Sequence, residues 1–263
     1  MGSTSNFYGT TLAGGTRTAL CGLGGCGTVF KITPDGTLTT LHNFMGQDGE
    51  GAGPEGALIQ ATDGNFYGTT TVGGSSGSPN CPDGCGTVFK ITAEGTFTTL
   101  ARLSPSDGNS PLGLVQGTDG NFYGTTEVGG NSCSCGAVFQ VTPEGVVALL
   151  HNFHNNAGGF FASSGLLQAT NGTFYETTFY SFPGNGIVYS LSVGLGPFVK
   201  SVPTAAKTGT TVKILGNNLL FATAVTFNGV ATAFTAESST YIAATVPDGA
   251  TTGPIQVTLP TGR

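Results

Sequence analysis

Apolar residues fall along this chain in short runs bounded by Gly, Thr, Asn and Asp, and the runs return in a fixed order. Asn6-Phe7-Tyr8-Gly9-Thr10-Thr11 reappears as Asn65-Phe66-Tyr67-Gly68-Thr69-Thr70 and as Asn121-Phe122-Tyr123-Gly124-Thr125-Thr126. An altered copy reads Thr173-Phe174-Tyr175-Glu176-Thr177-Thr178. Each leads through a Gly-rich stretch to a second run: Thr28-Val29-Phe30-Lys31-Ile32, Thr87-Val88-Phe89-Lys90-Ile91, Ala137-Val138-Phe139-Gln140-Val141 and Ile187-Val188-Tyr189-Ser190-Leu191. A turn follows, such as Pro34-Asp35-Gly36 or Pro143-Glu144-Gly145, and then a third run such as Thr37-Leu38-Thr39-Thr40-Leu41. A fourth run, as in Leu58-Ile59-Gln60-Ala61, meets the next tyrosine motif across Asp63-Gly64 or Asp119-Gly120. Proline presets φ for a turn, glycine accepts a positive φ, and Asx-Gly between apolar runs marks a hairpin.

The period of about fifty-five residues predicts four-stranded antiparallel meanders, the size of a propeller blade. Neighbouring strand residues point to opposite faces, so bulky pairs such as Phe66 with Tyr67, or Val88 with Phe89, predict sheets buried on both sides. Blades stacked face to face satisfy that pattern better than a sandwich, whose strands alternate. The expected architecture is all-β: propeller-type repeats over 1–195, with copies near 5–64, 65–120 and 121–172 and a partial one at 173–195.

These motifs resemble the GloVer tandem repeat of bacterial surface and secreted proteins. The resemblance implies export and a cell-surface setting but no defined activity. The fourth copy departs from the pattern at Glu176, where glycine stands in the others. The first copy starts at its tyrosine strand and the fourth lacks its last strand, so the array reads as open-ended. Open strand edges invite self-association with another copy; repeats further upstream would instead complete a ring.

From Gly196 the pattern changes to short Val/Ile/Thr runs about ten residues apart: Pro197 to Lys200, Thr211 to Leu215, Ala224 to Asn228, Tyr241 to Val246 and Ile255 to Leu259. Such spacing predicts a β-sandwich over 196–263. Gly209-Thr210-Thr211-Val212-Lys213-Ile214-Leu215-Gly216-Asn217-Asn218 and Ala244-Thr245-Val246-Pro247-Asp248-Gly249 resemble the IPT/TIG immunoglobulin-like domain. That resemblance implies a spacer or adhesion module on an exported protein.

Composition narrows the partners. Of 263 residues 8% are charged and 45 are glycine, which suits strands and tight turns and leaves Thr, Ser and Asn to face solvent. A formal net charge of −6 with no Lys/Arg cluster argues against nucleic acid and against anionic membranes. No apolar run is long enough to insert into a bilayer.

The six cysteines form three local pairs, Cys21 with Cys26, Cys81 with Cys85 and Cys133 with Cys135, each in the loop before a second-run strand. One disulfide per repeat is expected, and with it an oxidising, secreted or cell-surface location. The one-residue spacing of Cys133 and Cys135 makes that bridge the most strained of the three. Neither this spacing nor the three histidines suggest a metal site, and no cofactor is expected.

Most carboxylates, among them Asp35, Asp63, Asp119 and Asp248, precede a turn glycine, where they cap their own backbone. His42 and His151 share the context Leu-His-Asn-Phe, yet the equivalent residue in the second repeat is Arg102, which suits a blade-edge surface position better than a catalytic base. Gln47 to Gly51 carries too few oxygens for an EF-hand loop. The candidate ligand-binding residues are therefore Tyr8, Tyr67, Tyr123 and Tyr175, whose rings beside Asn and Thr could stack on sugars; blade packing is the competing use of the same rings. The chain reads as a non-catalytic structural or adhesive protein. A self-assembling filament subunit and a carbohydrate-binding portion of a larger exported enzyme are the alternatives, with a cell-surface polysaccharide as the expected external partner.

Overall fold

A computed structural model describes residues 6–46, 49–74, 79, 81–130, 135–154, 160–162, 165–181 and 184–260. Among these residues the regular structure consists of strands and two short 3-10 turns, Gly22–Gly24 and Leu219–Phe221. The strands form antiparallel sheets in chain order. The first holds β1 (Phe7–Thr11), β2 (Thr28–Ile32) and β3 (Leu38–Asn43). The second holds β4 (Ile59–Gln60), β5 (Phe66–Thr70), β6 (Thr87–Ile91) and β7 (Phe97–Arg102) in sequence order. The third repeats this with β8 (Asn109–Gln116), β9 (Phe122–Val128), β10 (Ala137–Val141) and β11 (Val147–Asn152). In the fourth, β12 (Phe160–Ala162), β13 (Leu167–Gln168) and β15 (Val188–Leu191) all flank β14 (Phe174–Tyr180).

These are the expected blades, offset by one strand from the sequence period. The run before each tyrosine motif pairs with the motif that follows, as Ile59 with Tyr67 and Gln60 with Phe66, because the intervening Asp-Gly turn folds it directly back. Gly64 sits at φ 82°, which the turn requires, and its N–H donates to the Ala61 carbonyl at 2.9 Å. A bulge recurs between the second and third strands, at Val29/Phe30, Val88/Phe89 and Val138/Phe139, so the copies share register as well as sequence.

Both faces of the central strands are buried. All five residues of β5 are, and the same holds for the Phe122–Thr126 stretch of β9. Stacking between sheets explains this. The Tyr8 ring lies on Phe66 with centroids 3.9 Å apart, and the Tyr67 ring on Phe122 at 4.1 Å. Tyr8 and Tyr67 thus each pack on the phenylalanine that precedes the next repeat's tyrosine. Threonine hydroxyls add a second link: Thr10 donates to the Gly56 carbonyl at 3.2 Å, and Thr69 to that of Leu112.

The chain divides into two compact units, Met1–Leu167 with Tyr175–Ser190, and Gln168–Phe174 with Leu191–Arg263. In the second unit, one sheet runs β16 (Lys200–Val202), β17 (Thr211–Leu215), β21 (Tyr241–Thr245), β20 (Phe234–Ser238). The other runs β19 (Val230–Thr232), β18 (Ala224–Phe227), β22 (Ile255–Thr258). Here burial alternates: Val212 and Ile214 of β17 point inward beside Ile242 and Ala244 of β21, and their neighbours face out. One-sided burial is the mark of a sandwich, two-sided burial that of stacked blades. Strands β19 and β20 lie in a stretch that the sequence reading passed over. The first strand begins at Lys200 and not at Pro197, which has no N–H to give a ladder.

Candidate functional site

The repeated tyrosines are built into the framework. Tyr67 is 2% exposed and Tyr123 1%. Their hydroxyls donate to the turn carboxylates Asp63 Oδ2 at 2.9 Å and Asp119 Oδ2 at 2.8 Å. The same carboxylates accept the backbone N–H of Asn65 and Asn121, at 3.0 and 3.2 Å, and the Asn side chains, both at 2.7 Å. The motif Asp-Gly-Asn-Phe-Tyr is therefore one hydrogen-bonded unit: the aspartate shapes the turn and also receives the tyrosine. Lys90 Nζ joins Asp63 at 2.9 Å, while in the third repeat Gln140 donates to the Tyr123 oxygen at 2.9 Å.

Electrostatics follow from this wiring. Burial alone would raise the Asp63 carboxyl, but donation from Asn65, Lys90 and Tyr67 outweighs it and holds the group far below the ordinary carboxylate range. Burial first, and the hydrogen bond to Asp119 second, push Tyr123 up to about 12. Of the four tyrosines singled out in the sequence, Tyr67 and Tyr123 have no ring face open to solvent. Tyr8 and Tyr175 are partly exposed, and Tyr8 already carries the Phe66 stack.

His42 lies partly buried between blades, deeper than a surface edge, whereas His151 is exposed, as expected of a blade-edge position. His42 stacks on Phe97 of the next sheet with centroids 4.0 Å apart and pairs through Nε2 with Glu50. Arg102, at the matching position, donates Nε to the Gly49 carbonyl at 3.1 Å. His151 packs edge-on against Phe153, and partial desolvation of its ring, with the nearby His154, lowers its pKa.

Disulfides join Cys21 to Cys26 and Cys81 to Cys85, with Cα atoms 5.0 and 5.2 Å apart. Cys135 is also disulfide-bonded, and Cys133 lies outside the described residues, as do Gln47 and Asp48. Among the described residues no group of three or more His, Cys, Asp or Glu is placed to hold a metal ion, and no helix is long and apolar enough to cross a membrane.

Two arrangements went unseen in the sequence. Glu176, which replaces the repeat glycine, is 4% exposed and accepts from the Tyr189 hydroxyl at 2.8 Å and from Thr125 Oγ1 at 3.1 Å. The signal was available: the fourth copy alone carries both Glu for Gly and Tyr for Phe. The second is an open cavity of about 490 Å³ in the repeat unit, walled by Phe161, Phe179 and Tyr180 and edged by Glu55 and Glu127. Phe179 is 63% and Tyr180 43% exposed, their rings edge to face at 4.7 Å. These residues come from parts of the chain more than a hundred positions apart.

The model of the family described as Gloeobacter/Verrucomicrobia repeat matches residues 1–189, and that of the IPT/TIG domain matches 197–263. No curated protein matches the chain. Among solved structures, a streptogramin B lyase is similar at 17% identity and a TM-score of 0.40, over 72% of this chain and 54% of its own. A putative gluconolactonase is similar at 13% and 0.38, over 89% and 69%. PorZ, a surface component of the type-IX secretion system of Porphyromonas gingivalis, is similar at 11% and 0.39, over 73% and 29%. The chain thus spans about half the length of the lyase and less than a third of PorZ.

Proposed function

We propose that this chain, which belongs to the Gloeobacter/Verrucomicrobia repeat family and carries an IPT/TIG domain, is a non-catalytic adhesive scaffold of the cell surface or extracellular space. The observation that carries this reading is the use made of the repeated polar groups. The hydroxyls of Tyr67 and Tyr123, the carboxylates of Asp63 and Asp119 and the ring of His42 are each bonded into turns or blade contacts. A general acid or base must present its titrating atom to a substrate, and these atoms face protein partners. Disulfides in consecutive repeats fit an oxidising compartment. An immunoglobulin-like unit at 197–263 fits a spacer.

The test is retention of the purified, non-reduced chain on insoluble cell-envelope polysaccharide, run beside an assay for hydrolysis of lactones and esters. Saturable retention with unaltered substrates supports the reading. Turnover that scales with protein concentration contradicts it.

A second reading, self-association into filaments, has one observation in its favour. Phe66 and Phe122 are buried under Tyr8 and Tyr67, whereas Phe7, the same position of β1, is 62% exposed. A blade face of a second copy, or of a repeat preceding it in the chain, would cover it by continuing the internal blade contact. Light scattering with negative-stain imaging tests this: regular fibres that Phe7→Ser abolishes support it, and a monomer at all concentrations contradicts it.

A further inference from the structure

We propose that the cavity between Phe179, Tyr180, Glu55 and Glu127 binds a cationic amino sugar, as found in a polysaccharide with free amino groups. The inference rests on the adhesive reading and names the class of its ligand.

The lining combines two features. Phe179 and Tyr180 stand exposed at the end of β14, where burial would be the default for rings of this size. Exposed aromatic faces suit the apolar face of a sugar ring, and a cavity of about 490 Å³ falls within the ordinary size of ligand pockets. Glu55 and Glu127 are both exposed at its edge, and neither makes an ion pair or side-chain hydrogen bond among the described residues. Among the described residues no lysine, arginine or histidine lines the cavity. An acetamido or neutral sugar would leave the two carboxylates without a counter-charge, whereas an ammonium supplies hydrogen bonds to a carboxylate and a cation for the aromatic wall. The net charge of −6 favours the approach of a polycation.

The backbone places these side chains. Blade four approaches blade three closely: a Cβ on Gly165 would lie 3.8 Å from the Cα of Gly113, and one on Gly56 would lie 2.5 Å from the carbonyl oxygen of Leu112. Glycine at 56 is needed for its close approach to Leu112, and Glu55 and Leu112 line the cavity with Phe179 and Tyr180 of β14. Phe160 pairs with Tyr180 and Ala162 with Thr178, so β12 lies beside β14 in the sheet and contributes Phe161 to the cavity lining.

The test is calorimetric titration of the full, non-reduced chain with a glucosamine tetramer and with its fully N-acetylated counterpart. Saturable binding of the amine form, at least tenfold tighter than the acetylated form, is expected. It should weaken about tenfold in Glu55→Gln/Glu127→Gln and fall as salt rises. Both glutamates are exposed, so the variant keeps its fold; an unchanged melting temperature checks this. Phe179→Ala provides the independent probe of the stack. Equal binding of the two tetramers, no binding of either, or binding unaffected by the glutamine pair overturns the inference. Envelope retention that survives while the glucosamine tetramer fails to bind sinks this inference and leaves the adhesive reading standing.

Discussion

Tyr189 donates its hydroxyl to the buried carboxylate of Glu176 at 2.8 Å, and the two residues stand where the other repeats carry phenylalanine and glycine. In those repeats the ring lies over the glycine. A Cβ on Gly9 would be 2.7 Å from Cζ of Phe30, and one on Gly68 or Gly124 would be 2.6 Å from that of Phe89 or Phe139. No side chain fits under such a ring, so glycine and phenylalanine form a matched pair. The fourth repeat solves the same contact with a hydrogen-bonded pair, and Thr125 of the third blade extends it at 3.1 Å.

That exchange predicts strong coupling. Glu176→Gly should cost roughly 2 kcal/mol, because the Tyr189 hydroxyl and Thr125 lose an acceptor in a buried place. Tyr189→Phe should cost roughly 1–2 kcal/mol for the donor removed from the carboxylate. The double variant restores the pair of the other repeats and should cost less than the two singles added together. A double-mutant cycle by urea unfolding measures this; strict additivity would contradict the pairing.

Tyr67 tests the framework role of the repeated tyrosine. Tyr67→Phe removes the bond to Asp63 and keeps the stack on Phe122, and should lose about 1 kcal/mol. Tyr67→Ala also removes the buried ring, and a loss of about 3–5 kcal/mol is expected. Denaturant midpoints at constant slope check both.

The pH dependence has two limbs. Asp63 has a depressed folded pKa, so its contribution is complete above the unfolded carboxylate range and is lost as pH falls towards the folded value. Asp63→Asn should flatten that acid limb. Tyr123 is raised from about 10 to about 12. Its contribution is complete below pH ~10 and is lost as pH rises through ~12, because the unfolded tyrosine ionises first. Tyr123→Phe should remove that part of the alkaline loss. Thermal melts across pH would contradict the account if either variant kept the wild-type slope.

Cys81 and Cys85 are 1% and 0% exposed. A mild thiol reductant should leave this bridge intact in the folded chain and cleave it once urea unfolds the protein. Replacing both by serine should cost about 2 kcal/mol, since the loop closed is short. Thiol counting with and without denaturant decides: ready reduction in the native state would contradict the burial.

Much of the fold was legible because each blade is local. Its turns are marked by Asp-Gly or Glu-Gly, its strands recur, and both pairing partners lie within one period. The sandwich was legible through its alternating strands, except β19 and β20, whose Ala, Thr and Ser residues give little apolar contrast. The tyrosines were singled out correctly as a repeated feature, but their use depends on the next blade: no pattern within one repeat reveals that Tyr67 meets Phe122. The cavity was illegible for the same reason. Glu55 and Phe179 are brought together only by the stacking of blades, and Phe179 lies in the copy whose motif had diverged.

The most direct measurement compares the wild type, Tyr67→Phe and Glu55→Gln/Glu127→Gln for both melting temperature and retention on cell-envelope polysaccharide. If the repeated tyrosines are framework and recognition lies in the cavity, Tyr67→Phe will melt lower yet be retained like the wild type, and the glutamine pair will melt as the wild type but be retained less. Retention lost in Tyr67→Phe at an unchanged melting temperature would contradict that division.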